Sequence, residues 1–529
     1  MKKALKTSFQ IAVATGVLFS ILEASCFFLG MPKGATRFIT KVIIQNHLSP
    51  EKRAGEYRIF TYGESTMYGA HYGVVSSPAH WLNAFLKDIF PNQKIRVVNF
   101  ARLGCGSQFI ANSFEQTISY QPDIAFFYIG HNGFLPGNRK DQIQSKEHSF
   151  RVVLAALSWR SRFISAVYRA VIKKQIELKT TWPDDGIERS VIEKVPEKVA
   201  PEDIISRNEQ AYWENIEFTR QNIRKILKLA KEHGIHVVFL KPVCNLKDFA
   251  PSYSVHMKPL SPKAAAVWEH FYEKGKMEKA SGNFKKALAY FNRAYAIDQT
   301  YADLSFHLGQ IYFQKKDFQK ARKFFEEARD HDAVISRATN DMLAMFEELQ
   351  KNEGLQMINT EQILSLEVEG GILGEPIIED NVHFSLKGHF LVGRALAEEM
   401  ARQNWFAPRE NWEFGRERSY DEIARELGLT QQVLISAYLR NINYFGSRLD
   451  NRIRLAQKIL ELEPDNAYAL RHLAWAYWLN KDYTKAVEAY KKLGEVDPYM
   501  LREVLKIQPR VKKRIVRPIR LPAMVPSSV

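Results

Sequence analysis

Short apolar runs that break off at glycine turns constrain this chain more than any other feature. Tyr57-Arg58-Ile59-Phe60-Thr61 runs into Gly63-Glu64-Ser65, and Ile95-Arg96-Val97-Val98-Asn99-Phe100 runs into Leu103-Gly104-Cys105-Gly106. Ile124-Ala125-Phe126-Phe127-Tyr128-Ile129 runs into Gly130-His131-Asn132-Gly133. Near-continuous apolar stretches of this length suit strands of a parallel sheet buried on both faces. Helical patterns lie between them, with Trp81, Leu82, Phe85 and Leu86 in one and Phe109 to Tyr120 in another. A longer helix is expected from about Glu209 to His233, with Gly234 as its C-cap, before a fourth strand from His236 to Leu240. Strand alternating with helix predicts an α/β fold with a doubly wound, mostly parallel sheet. Sites in such sheets form at the carboxyl ends of the strands, where all three glycine turns fall.

The chain has 529 residues, 46% hydrophobic and 25% charged, which excludes a disordered chain, a collagen and a multi-span membrane protein. Three cysteines, Cys26, Cys105 and Cys244, are too few and too scattered for a disulfide framework or a cysteine-based metal module. No metal and no cofactor is expected. The net charge of +16 is uneven. Lys506, Arg510, Lys512, Lys513, Arg514, Arg517 and Arg520 crowd the end, interrupted by prolines, so residues 506–529 read as a basic tail. Such a tail is drawn to an anionic surface or simply aids solubility, and no accompanying motif points to nucleic acid.

At the other end, Lys2, Lys3 and Lys6 precede an apolar run from about Phe9 to Leu29 in which Glu23 is the only charge. Its length suits one membrane span. Ala24-Ser25-Cys26 lacks a clear cleavage pattern and Glu23 does not suit a lipoprotein box, so residues 1–30 are expected to be an uncleaved signal anchor. Lys33, Arg37 and Lys41 balance the leading lysines, and charge does not fix the orientation.

A late segment completes the pattern. Asp380-Asn381-Val382-His383 places a carboxylate three residues before an imidazole, close enough to orient it, and a helix with Leu391, Val392, Ala395, Leu396 and Met400 follows. Taken in order, G-x-S after the first strand, a glycine after the second, G-x-N after the third and D-x-x-H before the last helix, the four blocks resemble those of the SGNH (GDSL-like) hydrolase superfamily. The resemblance covers roughly residues 55–245 and 355–402. It implies a flavodoxin-like α/β domain, with Ser65 as nucleophile, His383 as general base and acid, and Asp380 as the group that orients His383. It further implies an oxyanion hole made by the backbone N–H groups of Ser65 and Gly104 and the side-chain amide of Asn132. The spacing from Asn99 favours Gly104 over Gly106. The first block has Glu64 where the family has aspartate; this acid stands outside the triad and receives no role. The third block continues with Gly133 where the family often has an acid. His131 reads as a structural neighbour, and His389 lacks an acid three residues upstream.

Between the fourth strand and D-x-x-H the α/β pattern stops and a repeat begins. Gly275, Ala287, Phe291 and Ala294 recur 34 residues later as Gly309, Ala321, Phe325 and Ala328. The period and the small/aromatic pattern resemble the tetratricopeptide repeat, a pair of antiparallel helices. A further copy carries Ala474, Tyr477, Ala486, Tyr490 and Pro498, and a degenerate one ends at Leu460-Glu461-Leu462-Glu463-Pro464. Two repeats are too few to stand alone, so the inserted pair must lean on a neighbour. It is expected beside the rim of the site, because it joins the fourth strand to the segment carrying His383. The expected organisation is an anchor (1–30), a hydrolase-like domain (50–260 and 350–405), inserted repeats (262–345), C-terminal repeat-like helices (415–505) and the tail. The segment from Leu178 to Pro201, rich in Pro, Lys and Glu, reads as a loop that could cover the site.

The resemblance, the anchor and the charge together lead to the expectation of a membrane-anchored serine esterase outside the cytoplasm, on the periplasmic side of a bacterial envelope. Its substrate would be an acylated molecule such as an O-acetylated cell-surface polysaccharide. The helical repeats would hold a protein partner or a glycan. Two alternatives use the same residues differently: an O-acyltransferase with the same triad, or a repeat scaffold on a non-catalytic hydrolase-like platform.

Overall fold

The computed structural model describes residues 37–135, 204–444 and 448–507, with Ser20 and Asn138. The expected anchor apart from Ser20, the segment from Leu178 to Pro201 and the tail beyond residue 507 lie outside the described residues. Among the described residues no helix is long and apolar enough to cross a membrane. They divide into two units, one holding 77–138, 204–417 and the residues before 69, the other holding 69–76 and 418–507.

The first unit opens with α1 (Arg37–Gln45), β1 (Glu56–Gly63), the single turn α2 (Ser65–Tyr68), α3 (Pro78–Ile89), β2 (Lys94–Asn99), α4 (Ser107–Thr117) and β3 (Ile124–Tyr128). After α5 (Gln210–His233) and β4 (His236–Leu240) come the insert helices α6 (Pro262–Ala280), α7 (Phe284–Ile297), α8 (Ala302–Gln314) and α9 (Phe318–Asp330). The unit closes with α10 (Asn340–Glu353), β5 (Met357–Ile358), α11 (Thr360–Ser365) and α12 (Leu386–Arg402). The five strands are all parallel, in the order β2-β1-β3-β4-β5. This is the expected doubly wound α/β sheet. Two-residue alternation sends neighbouring side chains to opposite faces. Phe60, Tyr62, Phe127 and Phe239 pack with α4, α5 and α10, whereas Ile59, Phe126, Tyr128 and Val238 pack with α3 and α12. Both faces are therefore dry, which is why the strands read as nearly unbroken apolar runs. Gly234 ends α5 in the left-handed conformation, as expected (φ 65°).

The insert is built as its repeat predicts. Cβ atoms added at Gly275 and Gly309 would lie 2.5 Å from the Phe291 ring and 2.7 Å from the Phe325 ring. Each glycine thus lets its helix close directly onto the aromatic of the next. The first hairpin, α6 and α7, buries Trp268, Tyr272 and Phe291 within the insert, against Leu308 of α8. In the second, Phe306, Phe325 and Ala328 share a core with Cys244 and Leu246 after β4 and with Ile372 and Val382 ahead of α12. The inserted pair leans on the sheet domain, beside the D-x-x-H segment, as expected.

The second unit contains α13 (Tyr420–Glu426), α14 (Gln431–Tyr444), α15 (Leu449–Leu462), α16 (Ala467–Leu479), α17 (Tyr483–Val496) and α18 (Pro498–Ile507). Ser419 and Glu422 form a reciprocal capping box that starts α13. From α14 onward each helix packs on the next. Ile435, Leu439, Leu455 and Ile459 form one buried cluster, and Leu470, Tyr490, Leu493 and Leu501 another. Arg440 donates from Nε and Nη2 to the carbonyl of His71 at 2.9 and 2.6 Å, tying the 69–76 segment into this unit.

Candidate active site

Strand β1 delivers Ser65 to the carboxyl edge of the sheet. In the register of β1 and β3, Gly63 lies opposite Tyr128, so the turns that follow these two strands start side by side. The chain order reverses between these strands, which opens a crevice at their ends. The glycine of G-x-S is a steric necessity: a Cβ at Gly63 would lie 2.6 Å from the Met67 Cβ and 2.8 Å from the Tyr128 carbonyl. Ser65 is half-buried.

The second and third blocks are tied to this turn by buried polar side chains. Asn99 Oδ1 accepts from Thr61 Oγ1 at 3.0 Å and from the Ala101 N–H at 2.9 Å, while its Nδ2 donates to the Met67 carbonyl at 3.0 Å. The Arg102 N–H donates to the Gly63 carbonyl at 3.0 Å. Gly104 then takes the left-handed conformation (φ 66°) that a glycine adopts at little cost. Asn132 is buried and donates from Nδ2 to the Cys105 carbonyl at 3.0 Å, which orients its amide and leaves that nitrogen a second hydrogen.

His383 closes the site from the other end of the chain. Its Nε2 lies 2.7 Å from Ser65 Oγ, and its Nδ1 lies 2.7 Å from Asp380 Oδ2. Asp380 is fully buried, and its Oδ1 accepts the backbone N–H groups of Val382 (3.0 Å) and His383 (2.8 Å). The Asp380–His383 spacing therefore works through a turn held by the aspartate's own side chain, with no helical backbone involved. A bridge between Ile378 and Phe384 and the N-cap of α12, where Ser385 Oγ accepts from the Gly388 N–H at 3.1 Å, fix both ends of that turn. An ionised Asp380 can only accept, so Nδ1 carries the imidazole proton and Nε2 offers its lone pair to the serine hydroxyl.

Glu64, which sequence reasoning set aside, organises the third block. Its buried carboxylate accepts the N–H groups of Gly130 (3.1 Å), His131 (3.0 Å) and Asn132 (3.2 Å). Burial pushes its carboxyl up to about 7, against the opposing pull of those three N–H groups and of His383. The only sequence signal was an acid adjoining Ser65. Gly133, where the family often has an acid, is held from another direction. Asn215 on α5 donates from Nδ2 to its carbonyl at 2.5 Å, and a Cβ at Gly133 would lie 2.5 Å from Asn215 Oδ1. Nothing local in the sequence links these two residues.

His131 is structural, as expected. Its Nδ1 accepts from the Ala338 N–H at 3.1 Å, so Nε2 carries the hydrogen toward Tyr128 Oη, 3.1 Å away. Burial first, and His383 second, push its pKa down to about 3, so the ring is neutral. His389 is buried on α12 with its ring edge-on to Phe384. The Cys105 thiol is pushed up to about 12 by burial and donates to the Gly63 carbonyl at 3.4 Å, which makes it a packing group and not a nucleophile.

Comparisons with known proteins bear mainly on the helical parts. Tetratricopeptide-repeat family models match residues 279–337 and 453–498, the two regions in which the 34-residue pattern was read. No curated protein matches the chain. Among solved structures, a GDSL-like lipase from Bacteroides thetaiotaomicron is 10% identical over 70% of this chain and 98% of its own, with a TM-score of 0.31. YrrB, a TPR protein with an unusual peptide-binding site, is 14% identical over 47% of this chain and 98% of its own, with a TM-score of 0.14. The described residues thus join a five-stranded parallel sheet domain to helical hairpins that match tetratricopeptide-repeat models.

Proposed function

We propose that this chain is a serine hydrolase acting on carboxylic esters through an acyl-enzyme on Ser65. The observation that carries the reading is the hydrogen-bonded line from Ser65 Oγ to His383 to Asp380, with 2.7 Å at each link. A free serine hydroxyl is a weak nucleophile and needs an adjacent base. Here Nε2 takes the proton as Oγ attacks the ester carbonyl, and Asp380 stabilises the imidazolium that forms. The oxyanion would be met by the N–H groups of Ser65 and Gly104 and by the second amide hydrogen of Asn132. His383 then returns the proton to the departing alkoxide, leaving the acyl group on Ser65. Water, activated by the same nitrogen, completes hydrolysis. An acceptor sugar hydroxyl in place of water would make the same residues an acyltransferase.

The apolar run from Phe9 to Leu29 supports anchoring in a membrane, and the basic tail supports an anionic envelope surface. Together they support an extracytoplasmic site acting on an O-acetylated cell-surface polysaccharide. The repeats support a protein partner. A fluorophosphonate probe tests the catalytic reading. It is expected to label the wild-type chain at Ser65, located by mass spectrometry, and to leave Ser65→Ala unlabelled. Absence of labelling in folded wild-type protein would favour the scaffold.

A further inference from the structure

Ser65 Oγ and His383 Nε2 meet through a contact, 2.7 Å long, that an acyl-enzyme would have to break. Once Oγ is bonded to an acyl carbon it has lost its hydrogen and has nothing to donate to Nε2. Deacylation nevertheless needs His383 in the same place, with water in the role that the serine hydroxyl had. A contact outside the chemistry would keep the two turns in register across that interval.

Thr66 makes such a contact. It is buried, and its Oγ1 donates to the Val382 carbonyl at 3.2 Å. The residue after Ser65 is thus tied to the residue before His383, beside the contact between Ser65 and His383 themselves. In a longer helix a threonine hydroxyl commonly bonds the carbonyl three or four residues back. The turn α2 starts at Ser65, so no helical carbonyl stands there, and the Gly63 carbonyl three residues back already takes the Arg102 N–H at 3.0 Å. The hydroxyl reaches across to the D-x-x-H segment instead. Both partners are held from behind. Next to Thr66, the Met67 carbonyl accepts from Asn99 Nδ2 at 3.0 Å. Val382 places its N–H on Asp380 Oδ1 at 3.0 Å and its side chain in the core shared with Phe306 and Phe325. A hydrogen bond between two groups so held sets the spacing of the segments that carry them.

We propose that Thr66 is a positioning residue that keeps the His383 turn against the Ser65 turn while the Ser65–His383 hydrogen bond is absent. In acylation the Oγ–carbon bond forms, the ester C–O bond breaks, and the proton passes from Oγ through Nε2 to the departing alkoxide. That step starts with both contacts in place. In deacylation the water–carbon bond forms, the Oγ–carbon bond breaks, and the proton passes from water through Nε2 to Oγ. That step starts with the Thr66 contact alone of the two, so it depends on Thr66 more heavily. The stage at which Thr66 acts rests on the hydrolase reading; the coupling of the two turns does not.

The coupling is tested in full-length Ser65→Ala protein, which lacks the first contact as an acyl-enzyme would. Hydrogen exchange of the Val382 and His383 N–H groups, both donated to Asp380 Oδ1, reports opening of the turn. Adding Thr66→Val should speed that exchange about two- to tenfold, the worth of one buried hydrogen bond, and adding Thr66→Ser should leave it unchanged. Thr66→Ala removes the same hydroxyl without a branched replacement and covers the case in which valine disturbs folding. Unchanged exchange in a folded valine or alanine variant would overturn the proposal. The stage is tested with Ser65 restored, by burst kinetics on p-nitrophenyl acetate. Thr66→Val should lower deacylation more than acylation, giving a burst of p-nitrophenol followed by slow turnover at little changed melting temperature, and Thr66→Ser should recover the steady rate. An equal fall in both steps, or no recovery with serine, would contradict a positioning role. A wild type that never turns over would sink the hydrolase reading, and the exchange result would still decide the coupling.

Discussion

The inserted hairpins and the C-terminal ones share a 34-residue pattern but keep their cores in different company. In the C-terminal unit, the helices bury Leu455, Ile459, Tyr490 and Leu493 against one another. In the insert, the second hairpin puts Phe306, Phe325 and Ala328 into a cluster that includes Val382, the residue before His383. The segment after α9 also reaches the turn that carries Asn132, where the Ala338 N–H holds His131. The same repeat thus serves as a self-packing array in one place and as a brace for the turn that carries His383 in the other. Sequence pattern tells what a repeat is, and its neighbours decide what it does.

The largest expected effect sets the two arrays directly against each other. Phe325→Ala and Tyr490→Ala each remove a fully buried aromatic ring and should each cost about 3–5 kcal/mol in their own unit. Only Phe325→Ala should also lower ester hydrolysis, by loosening the Val382–His383 turn. Urea melts read by site-specific fluorophores in each unit, run beside activity assays, would show it. Equal loss of activity in both variants would break the contrast.

Glu64 probes the same loop from the sheet side. Glu64→Ala leaves three buried N–H groups without their acceptor and frees Asn132. Hydrolysis should fall by about 10²–10³, the usual effect of losing one oxyanion donor, with KM changing less than kcat. Glu64→Asp should recover part of that loss if the carboxylate can still reach the three N–H groups.

Acid sensitivity offers a matched pair of histidines. Burial pushes His131 in the first unit and His472 in the second down to about 3. A histidine held neutral in the fold gives stability that is present above its unfolded pKa, near 6.5, and is lost as pH falls toward the folded value. Each unit should therefore weaken below pH 6.5, and His131→Gln or His472→Gln should flatten the acid limb of its own unit only. Glu64 acts with the opposite sign: its raised carboxyl contributes stability that is full below about 4.5 and fades as pH rises through about 7.

Glycine contacts give the smallest contrast. At Gly309 a new Cβ would meet the Phe325 ring at 2.7 Å, whereas at Gly494 it would meet a terminal methyl of Leu501 at the same distance. A leucine methyl can swing aside and a ring wedged between helices cannot. Gly309→Ala should cost about 1–3 kcal/mol, and Gly494→Ala less, in thermal melts.

Much of this was legible in the residues. Four of the five strands announced themselves as apolar runs, and the repeats declared their helices through a fixed period. Strand β5 did not, because Met357–Ile358 is too short to show any period and gains its identity by pairing with β4. Ser65, Asp380 and His383 were readable because each follows a local signal. Their partners were not: Glu64 acts through backbone groups of another strand's turn, and Asn215 holds Gly133 from a helix far along the chain. Contacts of this kind depend on the fold closing, and no local pattern encodes them.

The most direct test of the catalytic assignment is hydrolysis of p-nitrophenyl acetate by the full-length chain beside Ser65→Ala and His383→Ala. The account predicts turnover in the wild type that falls to the buffer rate in both variants, with all three proteins melting alike. Wild-type turnover that persists in Ser65→Ala would contradict it.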